Sequence, residues 1–364
     1  MSQDLLSLKR DSPQLSSVLM SGELNQHGEI LNALAREVVL GEQGVESVIF
    51  ELVRPTDLNS GHFFRNRLAR WWWASRPESF FTIGFPWFSV AMVGLLNHWE
   101  WNLPIAVFSL FGALLFQISV HAFNDVEDHL RLIDRPGSLG GSGVIQKGWL
   151  SARQMRRFGY VTLFLGGIFG LPAVLSCPQI LLGVGVSSVF AVLSFSNRPL
   201  GVKYSPLGDL AVFTFLGPVL NVGFSLSIFS KWDLGIVYQG FFFGFLTWSV
   251  YFAKHLQNFE SERQLTKSFA AWLGFRKSRH FFVTIYVGTL FSIIFGMLSQ
   301  FIPLYAGLAP FLGVPWVVLL LRRVYQASGP VSALLIPLPL KAAQCQICLG
   351  VLYSAGLVLA LFLK

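Results

Sequence analysis

The chain has 364 residues, 53% of them apolar and only 13% charged, with a mean hydropathy of +0.56 and a formal net charge of +8. A water-soluble domain carries about a quarter charged residues, so this composition excludes an ordinary soluble enzyme and points to a membrane protein. The three cysteines, Cys177, Cys345 and Cys348, lie in or beside apolar stretches, which excludes a secreted disulfide scaffold; Cys345 and Cys348 form one CxxC with no second pair to complete a zinc site, and packing accounts for them.

In chain order, residues 1–68 mix acids and bases and hold no apolar run long enough to span a bilayer, so they read as a cytoplasmic, partly disordered N-terminal extension. Disorder is expected over the first twenty residues, and an amphipathic helix over Glu29 to Val53. No secretory signal is expected, because the first strong apolar run starts near Phe80 and lacks a small-residue cleavage site. Trp71, Trp72 and Trp73, preceded by Arg65, Arg67 and Arg70, form an interfacial anchor ahead of that run.

Residues 69–364 predict an all-α integral membrane domain, a bundle of nine crossings near 79–97, 102–123, 157–175, 178–196, 207–229, 234–256, 280–301, 304–321 and 342–362. Basic residues concentrate in the loops that follow even-numbered crossings, among them Arg131, Arg135, Lys147, Arg198, Lys203, Arg263 and Arg322, whereas the opposite side holds only Lys231 and Lys364. By the positive-inside rule the N-terminus is cytoplasmic and the C-terminus outside. The net charge is thus spread along a membrane face and requires no nucleic acid as partner.

Acids are scarcer and more informative. Beyond Trp101 there are eight: Asp125, Glu127, Asp128, Asp134, Asp209, Asp233, Glu260 and Glu262. Six of them fall in two clusters, each directly after an apolar helix on the predicted cytoplasmic side. The first is Asn124-Asp125-Val126-Glu127-Asp128 with Asp134; helical spacing puts Asp125 and Asp128 on one face, with Asn124 one turn from Asp128. The second is Asn258-Phe259-Glu260-Ser261-Glu262, where Asn and acid are again four apart. Grouped oxygen ligands suit Mg²⁺, which completes its shell with water and phosphate oxygens. Solvated loop ends are the competing reading for either cluster alone. The loops between supply cations and possible phosphate contacts: Arg135, the run Gly137-Ser138-Leu139-Gly140-Gly141-Ser142-Gly143, Lys147, and Asn197-Arg198-Pro199-Leu200-Gly201-Val202-Lys203. Arg198 and Lys203 serve equally well as positive-inside markers.

These residues resemble the UbiA superfamily of intramembrane prenyltransferases over roughly residues 70–280. Asn124-Asp125-x-x-Asp128 with Asp134 is similar to its first aspartate motif. Ala74-Ser75-Arg76-Pro77, Gly143-Val144-Ile145-Gln146-Lys147-Gly148, and Asn197-Arg198-Pro199-Leu200-Gly201 with Leu207-Gly208-Asp209 resemble the 1,4-dihydroxy-2-naphthoate polyprenyltransferase branch. One departure stands out: the family's second motif normally has two aspartates four apart, and here Asn258 and Glu262 occupy them.

The resemblance implies a nine-helix UbiA-type bundle in the bacterial inner (plasma) membrane that transfers a polyprenyl group from an allylic diphosphate to an aromatic, quinone-precursor acceptor. It implies Mg²⁺ held by Asp125, Asp128 and Asp134 with Asn258 and Glu262, and charge compensation by Lys147, Lys203 and Arg263, with Asn124, Arg135 and Arg198 also at the substrate. Arg76 is expected either to pair with an acceptor carboxylate or to mark topology. The isoprenoid tail would lie in an apolar groove open to lipid. The altered second motif also admits a diverged enzyme or an inactive scaffold. A transporter is disfavoured because mid-helix positions carry almost no ionisable residues. The oligomeric state is not legible.

Overall fold

The computed structural model describes residues 5–22, 34–41, 44–51, 67–134 and 140–363. Two compact units are distinguished, one comprising residues 1–78, 117–163 and 196–199, the other 79–116, 164–195 and 200–364.

In the first unit the described residues of the N-terminal segment form strands and a short helix, where disorder over the first twenty residues and a helix over Glu29 to Val53 are expected. Strand β1 (Leu5–Lys9) is followed by helix α1 (Pro13–Ser21), then β2 (Leu34–Gly41) and β3 (Gly44–Glu51). The strands form an antiparallel sheet in the order β1-β3-β2, with Gly41 opposite Gly44. The reason lies in the side chains: Val39, Val45, Val48 and Ile49 are β-branched, and this type favours a pleated surface over a helix. Helix α1 starts with Pro13, whose missing N–H costs nothing in a first turn, and stops at Gly22 in the left-handed conformation (φ 73°). Its Leu15, Val18 and Leu19, at helical spacing, enter a small core with Leu8, Val48, Phe50 and Leu132. A second core in this unit joins Ala74, Ala122, Val126, Val144, Ile145, Leu150, Ala152 and Met155.

The helices then run α2 (Arg67–Ala74), α3 (Phe81–Leu96), α4 (Leu103–Leu130), α5 (Ala152–Ser176), α6 (Pro178–Ser196), α7 (Leu207–Thr214), α8 (Leu220–Phe229), α9 (Leu234–Gln257), α10 (Phe259–Leu265), α11 (Phe269–Leu273), α12 (Phe275–Leu298), α13 (Leu304–Leu308), α14 (Val314–Gln326) and α15 (Leu338–Phe362). Among the described residues, eight helical segments are long and apolar enough to cross a membrane, and the number is nine if the bent pair Leu68–Ser79 with Phe81–Leu96 is one span. Exposed Phe164, Ile168, Leu171 and Leu175 line the outside of α5, a surface suited to lipid and unsuited to water.

In the second unit α9 is the most enclosed crossing and packs against α7, α12 and α15. Between α7 and α8 the helix opens into a π turn over Phe215–Val219, at Pro218, with Gly217 at φ −118°, ψ −106°. Glycine is required there: a Cβ on Gly217 would stand 2.7 Å from the Gly240 carbonyl oxygen and 2.7 Å from Gly244 Cα, so two backbones meet through small residues. The Gly217 carbonyl accepts a hydrogen bond from Asn221 Nδ2 at 2.9 Å, which matters because a bare carbonyl inside a bilayer is costly. Between α3 and α15 an apolar groove of about 660 Å³ is lined by Phe81, Gly84, Phe85, Val351, Ala355 and Val358.

Candidate functional site

The last turns of α4 carry Asn124, Asp125, Glu127 and Asp128, and all four are buried. Carboxylates at a buried helix end need partners or ligands, and their surroundings divide them. Glu127 is an ion-pair hub: Arg156 Nη2 lies 2.9 Å from Oε1, and Arg131 Nε and Arg198 Nε lie 3.9 and 4.0 Å from Oε2. Asn124 Oδ1 accepts from the Ser196 hydroxyl at 3.3 Å. Asp125 Oδ2 accepts the Ser142 backbone N–H at 3.0 Å, and its Oδ1 has Arg76 Nη1 at 3.8 Å with no hydrogen bond among the described residues.

After α4 the chain turns through Leu132, in the left-handed region at φ 62°, and the N–H groups of Ile133 and Asp134 both reach the Asp128 carbonyl, at 2.9 and 3.2 Å. The turn delivers Asp134, 3% exposed, beside the glycines that follow. A Cβ on Gly141 (φ 62°) would stand 2.6 Å from Asp134 Oδ2 and 3.0 Å from Asp125 Oδ1. Gly140-Gly141, part of a run that could contact phosphate or be a plain flexible loop, thus makes room for two carboxylates that converge on it.

The other predicted residues of this unit are distributed as follows. Arg76, with φ 56°, sits between Glu78 (3.7 Å) and Asp125. Lys147 is exposed and stacks its ammonium over Trp149 and Trp73, at 4.6 and 5.7 Å. The Arg198 side chain is 69% exposed. Arg135 and Gly137-Ser138-Leu139 lie outside the described residues, as does Arg65 of the expected anchor.

In the second unit, the junction of α9 and α10 places His255 between two carboxylates. Its Nδ1 is bonded to Glu262 Oε2, and its Nε2 is 3.7 Å from Asp209 Oδ2. Asp209 Oδ1 accepts the Trp248 indole N–H at 2.8 Å. Asp209, His255, Glu262 and Lys203 are all buried. Asn258 ends α9 and starts α10, its N–H bonded to the Lys254 carbonyl and its own carbonyl accepting from Glu262 N–H at 2.9 Å. Arg263 is exposed, 3.9 Å from Glu260. Sequence reasoning assigned no role to His255 or Trp248. The available signal was a histidine inside an apolar crossing, seven residues before an acid, where an ionisable group marks a working position.

Among the described residues no three His, Cys, Asp or Glu side chains gather as one metal cluster. Mg²⁺ does not need three: it is commonly held by one or two carboxylates plus substrate phosphates and water. Asp125 and Asp134 converging on Gly141, with Asp125 Oδ1 accepting no hydrogen bond among the described residues, meet that requirement with oxygen donors alone.

A model of the UbiA prenyltransferase family matches residues 84–336. The 1,4-dihydroxy-2-naphthoate octaprenyltransferase of Escherichia coli (strain K12) is 25% identical over 285 residues, covering 73% of this chain and 88% of that protein. Its counterpart in Mycobacterium tuberculosis (strain H37Rv) is 27% identical over 240 residues, covering 65% and 73%. Among solved structures, a UbiA homolog from Aeropyrum pernix K1 in apo form superposes with TM-score 0.56 at 15% identity, over 76% of this chain and 97% of that one. A UbiA homolog from Archaeoglobus fulgidus bound to GPP and Mg²⁺ superposes with TM-score 0.52 at 14% identity, over 78% and 99%. With its membrane-crossing helices, its buried aspartates at the end of α4 and a family match over most of its length, the chain belongs to the UbiA prenyltransferase family and is a membrane-embedded prenyltransferase.

Proposed function

We propose that the protein transfers a polyprenyl group from an allylic diphosphate to an aromatic acceptor of the 1,4-dihydroxy-2-naphthoate type, in a step of menaquinone-type lipoquinone synthesis at the bacterial plasma membrane, with its N-terminus cytoplasmic and its C-terminus outside. The acceptor class is supported by the names of the relatives, the reaction class by family membership. The observation that carries the reading is the approach of Asp125 and Asp134 over Gly141.

In this reading Asp125, Asp128 and Asp134 hold Mg²⁺ for the donor diphosphate, and Asn258 and Glu262 form a second oxygen-donor set. The chemistry that Mg²⁺ would supply there is positive charge against the diphosphate, which would ease its departure. The chain's own groups do the remaining work. Lys147, Lys203 and Arg263, with Arg135 and Arg198, offset negative charge as the carbon–oxygen bond of the donor breaks and pyrophosphate leaves. Asn124, whose Oδ1 accepts from the Ser196 hydroxyl, stands at the substrate beside the aspartates. His255 fixes Glu262 in one orientation, the way a hydrogen-bonded neighbour orients a ligand. Arg76 binds the acceptor carboxylate, exchanging its contact with Asp125 for it. The isoprenoid tail occupies the apolar groove between α3 and α15, which spares it from water.

The test is product formation: purified protein in detergent with Mg²⁺, a polyprenyl diphosphate and 1,4-dihydroxy-2-naphthoate, read by mass spectrometry and pyrophosphate release. A prenylated naphthoate product supports the assignment. Release of pyrophosphate with other aromatic acids only would keep the prenyltransferase and overturn the acceptor.

A further inference from the structure

We propose that the N-terminal sheet and helix are a brace for the metal-binding turn, with His129 as the positioning residue through which they act. This rests on the reading of Asp125, Asp128 and Asp134 as the cation site. The segment from Asp128 to Asp134 leaves α4 through Leu132 at φ 62°, a conformation unfavourable for a branched L residue, which persists only where the surroundings fix it. Here the surroundings come from the N-terminal module. Leu132, 6% exposed, is buried among Leu8, Leu15, Val18, Leu19, Val48 and Phe50.

A polar link runs alongside. His129 Nε2 lies 3.0 Å from the Leu19 carbonyl at the end of α1, so the ring carries its proton on Nε2 and donates it there. Its Nδ1 is left to accept from Gln146 Nε2 at 3.4 Å, and the same Gln146 amide donates to the Asp134 carbonyl at 3.3 Å. The module thereby holds the turn at Leu132 and, through His129 and Gln146, at Asp134. The match to the family model starts at residue 84, so the brace lies ahead of the shared segment. Mg²⁺ tolerates little departure from octahedral geometry, and a loosened Asp134 should weaken it.

The experiment uses the full chain and the variants Val18→Asp, His129→Leu, His129→Gln and Asp128→Ala. Mn²⁺ affinity is read by electron paramagnetic resonance without prenyl donor, alongside the Mg²⁺ concentration for half-maximal rate. Val18→Asp and His129→Leu should each weaken Mn²⁺ binding and raise the Mg²⁺ requirement about tenfold, as loss of an outer-shell partner does. The rate at saturating Mg²⁺ should stay within about twofold of wild type, and His129→Gln, whose amide N–H still reaches a carbonyl, should retain near-normal affinity. Unchanged Mn²⁺ affinity in Val18→Asp and His129→Leu, with affinity lost in Asp128→Ala, would overturn the brace and leave the cation site standing. A lower melting temperature in the His129 variants without weaker Mn²⁺ binding would also overturn it, as a purely structural role. Binding unaffected by Asp128→Ala would overturn the cation site and the brace together.

Discussion

Asp134 and Gly141 approach so closely that a single methyl group cannot fit between them: a Cβ on Gly141 would lie 2.6 Å from Asp134 Oδ2. Gly141 is also left-handed, at φ 62°, where a side chain costs about 1–2 kcal/mol. Gly141→Ala is therefore expected to displace Asp134 and raise the Mg²⁺ concentration for half-maximal rate about tenfold. A titration of rate against Mg²⁺ checks it, and an unchanged midpoint would mean that the carboxylate is not used there.

Glu127 lies in the same acidic run yet is occupied by arginines, with Arg156 at 2.9 Å. It is a structural group. Glu127→Gln should lower stability by about 1–3 kcal/mol, less than a fully buried pair because the Arg156 side chain is 32% exposed. The Mg²⁺ requirement of the folded fraction should not move. Thermal melting in detergent and the Mg²⁺ titration separate the two effects.

Asn258 offers a neutral oxygen where the family pattern has an aspartate. Asn258→Asp adds a charged ligand, and the Mg²⁺ concentration for half-maximal rate should fall. An unchanged or higher requirement would remove Asn258 from the metal-binding set.

Gly84 lines the groove between α3 and α15, and a Cβ there would meet nothing within 4 Å. Gly84→Phe places a ring in that groove. The KM for a long polyprenyl diphosphate should rise, whereas that for a five-carbon donor should be unaffected. Equal changes for both donors would show that the tail lies elsewhere.

How far the sequence foretold these features follows from which forces act locally. The crossings were legible because a bilayer demands about 20 apolar residues per span whatever the packing. The first aspartates were legible because helix α4 simply continues through Asn124 to Asp128, so spacing alone puts Asp125 and Asp128 on related faces. The strands at 34–51 also left a signal, in the β-branched residues flanking Gly41 and Gly44, which the expectation of a helix passed over. Other features depend on the return of the chain. That Glu127 pairs with Arg156 and Arg198 requires α5 and the end of α6 to fold back to α4. That His255 bonds Glu262 requires the break at Asn258 between α9 and α10. Neither is encoded in a local period, and both change what a lone carboxylate in the sequence means.

The measurement that bears most directly on the account is pyrophosphate release from a polyprenyl diphosphate by wild type and Asp128→Ala, each with Mg²⁺ and with EDTA. Wild type with Mg²⁺ should turn over, EDTA should stop it, and Asp128→Ala should show no activity above background although the protein still folds and inserts. Equal rates in wild type and Asp128→Ala would contradict the assignment of the buried aspartates at the end of α4 to the cation and its diphosphate.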